Sequence, residues 1–200
     1  MKIFPYVLPN LRVQNSDLKI ELLSLNNTEQ IKLLKKGDLD VTFTRQNLNS
    51  DEIESLFVLR EPLIFILPEN HPLAKYERIP VKALHGVDFI IPAAEQSLTL
   101  HNTILEFAKT HGIEFNIVQK ADNILFNINS IGMGLGCTIL PGYVAPLTMK
   151  NTVIRALDVE LPYLDLYVSY HKNSSSSAVH KFVELLTHVF YLNINRNSAI

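Results

Sequence analysis

Apolar positions along the chain recur with two periods, and the switches between them mark out its elements. Ile3, Phe4, Val7, Leu8 and Leu11 fall at the three-and-four spacing of one helix face, so residues 2–13 are expected to be helical. Pro5 suits the first turn of that helix, where its missing N–H has no bond to lose, whereas Pro9 is less comfortable. Residues 18–23 then read as a strand. Asn27 reads as the cap of a helix reaching Lys36, supported by Gln30 three residues on and by Gly37 just past the end. The next apolar run, residues 39–43, completes a strand, helix, strand order that predicts a right-handed parallel crossover.

Beyond a polar stretch, strands are expected at residues 56–59 and 63–67, the second stopped by Pro68 and Pro72. Residues 89–91 form a further strand ending at Pro92, and a polar loop leads from Ala93 to Ser97. A helix over 98–110 follows, with Gly112 beyond it, then a strand at 115–118 and a helix over 122–131 for which Asp122 is a plausible cap. Strands at 137–140, 153–157 and 164–170 precede a last helix introduced by Ser174 to Ser177. Its Val179, Phe182, Leu185, Leu186, Val189 and Phe190 lie on one stripe, and the tail from Asn193 is expected to fray. Repeated alternation of strand and helix predicts an α/β protein built on two open parallel sheets, with ligands bound in the crevice outside the carboxyl ends of the strands.

Gly132, Gly134 and Gly136 lie between a helical pattern and the apolar run that starts at Cys137. A phosphate-binding glycine loop needs the reverse order, strand before glycines before helix, because the anion rests on the free N–H groups of a helix N-terminus. This order instead predicts a helix end that needs positive φ and close packing of helix against sheet.

Composition narrows the function. With 47% hydrophobic residues among 200, a net charge of −2 and no block of like charges, the chain carries no footprint for nucleic acid or an anionic membrane. Its apolar runs are strand-sized, so no membrane span is expected, and the run at Met1 to Pro5 turns polar at Asn10 and Arg12, unlike a signal peptide. The single cysteine, Cys137, excludes an internal disulfide and reads as a packed core thiol in a cytoplasmic protein. His71, His85, His101, His111, His171, His180 and His188 show no metal-ligand spacing, and most read as solvated surface. No metal or cofactor is expected. There is no Gly-x-Ser-x-Gly elbow, and Asp38 and Asp40 flank a strand start without forming an acid/base pair. Arg45, just past the carboxyl end of its strand, can fork onto a carboxylate or lie as a surface residue along the sheet edge. Asn27 can simply cap its helix or offer its amide and the helix N–H groups to the same anion.

Three stretches in order carry a resemblance: Asn27-Thr28-Glu29-Gln30 before Leu34 to Val41, Glu61-Pro62-Leu63 leading to Leu67-Pro68-Glu69-Asn70-His71-Pro72-Leu73-Ala74, and Gly132 to Pro141. Together they resemble the effector-binding domain of LysR-type transcriptional regulators, a type 2 periplasmic-binding-protein fold of two Rossmann-like lobes. Asn116 to Gln119, Asn123 to Leu125 and Pro141-Gly142-Tyr143 look most like the regulators of phenylpropionate and hydroxycinnamate catabolism. The resemblance implies lobe I over 1–60 plus 165–200, lobe II over 61–164, two strands crossing between them, and a small, often aromatic, carboxylate held between the lobes. It implies effector contacts at Asn27, where relatives carry a threonine, and at Arg45, with Ser97, Thr99, Leu100 and Asn123 forming the wall of the second lobe. It implies a homo-oligomer in which the 98–110 helix contributes Leu98, Leu105 and Ala108. The family's helix-turn-helix domain and the first strand of lobe I are not found in these residues, so the chain alone is expected not to read DNA and to bind effector weakly. A transporter's solute-binding protein and an enzyme on the same fold are the rival readings. The first wants a signal sequence, and the second a cofactor-bearing cysteine or an acid pair in the cleft. Neither feature is present in these 200 residues.

Overall fold

The computed structural model describes residues 4–14 and 17–197, without the side chains of Tyr6, Gln14 and residues 189–197. Lys2 and Ile3 of the first expected helix, and the side chains of Val189 and Phe190 in the last stripe, lie outside that description. The chain divides into two compact units, Met1–Leu59 with Asp165–Ile200, and Arg60–Leu164.

The first unit contains α1 (Phe4–Gln14), α2 (Asn27–Lys36), β1 (Val41–Thr44), the start of β2 (Ile53–Pro68), the end of β8 (Tyr163–His171) and α5 (Ser177–Asn197). β1 runs antiparallel to β8, from Val41 opposite Tyr170 to Thr44 opposite Tyr167, and β8 also adjoins β2. The inward stripes of α1 and α5 close on this sheet: Val7 and Leu11 from one, Val179, Phe182, Val183 and Leu186 from the other, over Val58, Leu166 and Val168. Phe43 joins the two layers edge-on, 5.4 Å from the ring of Phe4 and 6.2 Å from that of Phe182. α1 runs through Pro9, and α5 continues to Asn197, so the tail expected to fray from Asn193 stays helical in its backbone.

Two expectations for this unit fail. Residues 18–23 form no strand, although Leu18 and Ile20 turn onto the core as alternate strand residues do. A strand needs a neighbour for its backbone groups, and no described strand pairs with this stretch, so the local pattern remains without its ladder. The helix cap lies one residue earlier than expected. Asn26 is the N-cap, its side-chain oxygen accepting the Glu29 N–H at 2.9 Å, and Asn27 is the first helical residue. The other end is as expected: Gly37, at φ 78°, donates back into the last turn of α2.

The second unit holds the rest of β2, β3 (Arg78–Ile79), β4 (Asp88–Pro92), α3 (Leu98–Thr110), β5 (Asn116–Ala121), α4 (Ile124–Gly132), β6 (Thr138–Pro141), β7 (Thr152–Leu157) and the start of β8. The two runs expected at 56–59 and 63–67 are one continuous strand, β2. β2 is antiparallel to both β6 and β7, so the parallel pairing expected throughout fails there, while β4 with β5, β3 with β7 and the bridge between Phe89 and Cys137 are parallel. Strands buried on both faces are continuous apolar runs whichever way they point, and direction is therefore not readable from them. The core gathers Phe65, Phe89, Ile90 and Ile91 with Leu100, Ile104 and Phe107 of α3 and Ile128 and Ile131 of α4.

α4 ends as the glycine pattern predicts. Gly134 takes φ 80° and donates to the Ile131 carbonyl at 2.8 Å, while Leu135 donates to Ser130. Two residues on, a Cβ on Gly136 would stand 2.7 Å from the Asp88 carbonyl oxygen, so only glycine lets the returning chain lie against β4. Cys137 then exchanges hydrogen bonds with β4, donating to Asp88 and accepting from Ile90, both at 2.8 Å.

Candidate functional site

In the first unit, two hydrogen bonds orient α2 against β1. Gln30, in the first turn of α2, pairs with the Thr42 hydroxyl, and Leu34, near its end, offers its carbonyl to His171 Nε2 at 2.7 Å. Tyr170, the neighbour of His171, stands opposite Val41 at the start of β1. The C-terminal part of α2 therefore lies at the amino end of β1 and its first turn toward the carboxyl end, the antiparallel packing expected of a helix leading into a strand. Asn26 and Asn27 then share an edge with Thr44 and half-buried Arg45, which leaves that carboxyl end. The edge combines a guanidinium, an amide and the positive end of a helix, all complementary to a carboxylate.

The second unit presents the corresponding edge between β4 and β5. Their parallel register ends with Pro92 opposite Ala121, closed by a bond from the Ala93 N–H to the Ala121 carbonyl at 2.8 Å. β5 and Cys137 lie on opposite sides of β4. The crossover through α3 thus moves one way along the sheet and the crossover through α4 the other, which for right-handed connections sets the two helices on opposite faces. Both helices begin at the carboxyl edge, and the crevice between such diverging loops is the ligand position of α/β sheets. Ser97, half-buried, precedes α3 without a side-chain cap bond. The Thr99 hydroxyl oxygen is buried without a hydrogen-bond partner, and Leu100 is buried below it. Asn123, exposed, is the N-cap of α4 in place of the expected Asp122; its oxygen accepts the Phe126 N–H at 2.8 Å, and its amide donates to Asp122.

Ser97, Thr99, Leu100 and Asn123 therefore stand around one edge, and Asn27 and Arg45 around another. Two residues of the second edge are not legible in the sequence. His101 is held by its Nδ1, which donates to the Pro92 carbonyl at 2.8 Å. Asn127 is only 1% exposed, and neither polar atom of its side chain has a partner. Its position in the inward stripe of α4 beside Ile128 and Ile131 is visible as helical spacing, but its lack of partners depends on the tertiary packing.

Of three other histidines, His85 and His180 are exposed and His71 is half-buried, and each is held by a backbone hydrogen bond. His71 Nδ1 accepts the Leu73 N–H, His85 Nδ1 accepts that of Glu114, and His180 Nε2 bonds the Ser174 carbonyl. Burial lowers the pKa of His71, against an opposing pull from Asp88. Burial first, and Asp88 second, push the Cys137 thiol up to about 12, so it remains a neutral packing group. Among the described residues no cluster of histidine, cysteine or carboxylate side chains can hold a metal, and no helix is long and apolar enough to cross a membrane. Two open cavities, of about 560 Å³ along α3 near Glu106 and Glu160 and about 580 Å³ between α2 and the loop at Asn49, include none of the expected site residues. Neither gathers convergent groups for chemistry, and the two carboxyl edges are the better candidates.

Residues 1–190 match the LysR substrate binding domain. The chain is 34% identical over 186 residues to the Hca operon transcriptional activator HcaR of Escherichia coli strain K12, covering 93% of this chain and 63% of HcaR. It is 28% identical over 143 residues to the HTH-type transcriptional regulator CatR of Pseudomonas putida, covering 72% and 49%. The chain thus spans between about half and two thirds of these curated relatives. In fold it is similar to the BenM effector binding domain with its effector benzoate, at a TM-score of 0.79 and 16% identity over 96% of this chain and 87% of that one. It is equally similar to the Synechocystis PCC6803 CcmR regulatory domain in complex with 2-PG, at a TM-score of 0.80 and 17% identity over 94% and 90%. From its match along nearly the whole chain, this protein belongs to the LysR substrate-binding domain family and has the periplasmic-binding-protein-like fold of the LysR effector-binding domains.

Proposed function

We propose that this chain is the ligand-sensing part of a cytoplasmic LysR-type transcription regulator, that its effector is a small aromatic carboxylate, and that it catalyses no reaction. The observation carrying this reading is the shared edge of Arg45 and the N-terminus of α2, where a guanidinium and helix amides offer donors suited to one anion. Arg45 takes the carboxylate with Asn27 beside it. Ser97, Thr99, Leu100 and Asn123 line the second candidate edge, and DNA is read by a part of the regulator outside this chain. The benzoate complex of BenM, similar in fold, supports an aromatic acid.

Ligand-observed NMR titration with benzoate and 3-phenylpropionate, carried to millimolar concentration, tests the reading. Arg45→Ala is expected to lose roughly 1.5 to 3 kcal/mol of binding, the scale of a charge-assisted hydrogen bond, and so to weaken Kd by one to two orders of magnitude. An unchanged Kd in that variant removes Arg45 from recognition. No binding of either acid by the native chain removes the effector class.

A further inference from the structure

In the first unit, the strand register sets two rows of side chains on one face of the sheet. Val41 and Phe43 of β1, Leu166 and Val168 of β8, and Leu56 and Val58 of β2 turn to α1 and α5, so the residues alternating with them share the other face. The inner row is Thr42, Ser169 and Ser55. Thr42 lies opposite Ser169, and the Ser169 and Ser55 hydroxyls meet at 2.7 Å. This row is small, polar and buried, and the bond from Thr42 to Gln30 places α2 over it. The next row, at the carboxyl edge of β1, is Thr44, Tyr167 and Phe57. Tyr167 lies opposite Thr44, and its ring stands edge-on to that of Phe57, 6.0 Å away at 76°. Burial falls away along this row: Thr44 is 1% exposed, Tyr167 half-buried and Phe57 51% exposed.

A lone exposed apolar side chain is ordinary on a protein surface. Phe57 differs in being the outer member of an aromatic pair on the edge whose donors suit an anion. The first turn of α2 lies on the same face and toward the same edge, and Arg45 directly follows Thr44. All of these residues belong to the first unit. Neighbouring strands are about 4.8 Å apart, so Tyr167 on β8 stands roughly one spacing from β1 and Phe57 on β2 roughly two. A ring joined to its carboxylate by two methylenes spans such a distance when the carboxylate is held at the α2 N-terminus. Two rings set edge to face form a corner, in which a third ring can stack on one and meet the other edge-on, both favoured arrangements. The corner carries no charge, its polar groups being the hydroxyls of Thr44 and Tyr167. We infer that Phe57 and Tyr167 are specificity-determining residues of the effector site, packing against the aromatic ring of an acid whose carboxylate lies at Arg45 and α2. This rests on the aromatic carboxylate reading and adds the side chains that recognise the ring, within one unit.

The test titrates 3-phenylpropionate by NMR into the native chain, Phe57→Ser, Phe57→Tyr and Tyr167→Phe, with the thermal midpoint and the sedimentation of each protein measured without ligand. Phe57→Ser is expected to weaken binding about three- to tenfold, the scale of one aromatic contact, with the midpoint unchanged because the ring is half exposed. Phe57→Tyr and Tyr167→Phe keep the native affinity, since each retains its ring. Nuclear Overhauser effects from the ligand ring protons to the Phe57 ring appear in the native chain. Native affinity in Phe57→Ser overturns the ring subsite and leaves the carboxylate reading standing, whereas no binding by the native chain overturns both. Weaker binding in Phe57→Ser with an equally lowered midpoint assigns the ring to the fold and overturns the proposal. A shift of Phe57→Ser toward monomer with unchanged affinity assigns it to a contact between copies and likewise overturns it.

Discussion

At Gly136 a single methyl group is in question. A Cβ there meets the Asp88 carbonyl at 2.7 Å, and the neighbouring atoms are backbone, unable to rotate away. Gly136→Ala should therefore cost about 1 to 3 kcal/mol, the range for overpacking, read as a lower denaturant midpoint at unchanged slope. His71 gives a pH dependence instead. Its pKa is lowered by burial from 6.5, so between the folded value and 6.5 the unfolded chain binds more protons and stability rises with pH. Acidification from about pH 7 to 5 should destabilise the native chain more than His71→Asn, measured by urea unfolding across that window. An equal slope in the variant would remove His71 from the linkage. The glycine was legible because its order between helix and strand is a local fact. The bond from the Leu73 N–H to His71 is local too, but the burial of His71 depends on chain distant from it.

At the scale of elements, the one-residue shift of the α2 cap separates two functions that the sequence had merged in Asn27. Asn26 holds the helix, and Asn27, its first helical residue, carries only the role proposed above. Asn26→Ala should cost about 1 kcal/mol of stability, while Asn27→Ala stays within about 0.5 kcal/mol and, on the proposed function, weakens benzoate. Equal stability losses in the two variants would return the cap to Asn27. In α3, the apolar residues expected to be left for a partner divide: Leu98 and Leu105 are 50% and 40% exposed, but Ala108 is 6% exposed and belongs to the core. Helical spacing identifies which residues share a face, yet which neighbouring face is covered is set by β4 and the strands beyond it. The same limit explains residues 18–23, whose alternation is that of a strand but whose ladder requires a partner.

At the scale of the molecule, two buried clusters, one around Phe182 and Val168 and one around Phe65 and Phe89, correspond to the two units. β2 passes from one to the other at Leu59 and Arg60, and β8 returns at Leu164 and Asp165. Assembly belongs to this scale. On the homo-oligomer reading, Leu98→Lys with Leu105→Glu should shift sedimentation at tens of micromolar toward monomer while circular dichroism stays native, since both side chains lie outside the core. A native chain that sediments only as monomer would remove α3 as a contact.

The sequence by itself determined where most helices and strands lie, that the glycines end a helix rather than cradle a phosphate, and, through three short stretches in order, the family. Each of these is carried by residues close together in the chain, where periodicity, caps and turn chemistry act. Tertiary structure alone decided that β2 runs antiparallel to β6 and β7 and β1 to β8, that residues 18–23 lack a ladder, that Asn26 rather than Asn27 is the cap, and that Asn127 and the Thr99 hydroxyl are buried without partners. Strand direction and the satisfaction of a polar group depend on what distant segments bring alongside, and an apolar run or an inward asparagine reads the same in one dimension whatever its neighbour turns out to be.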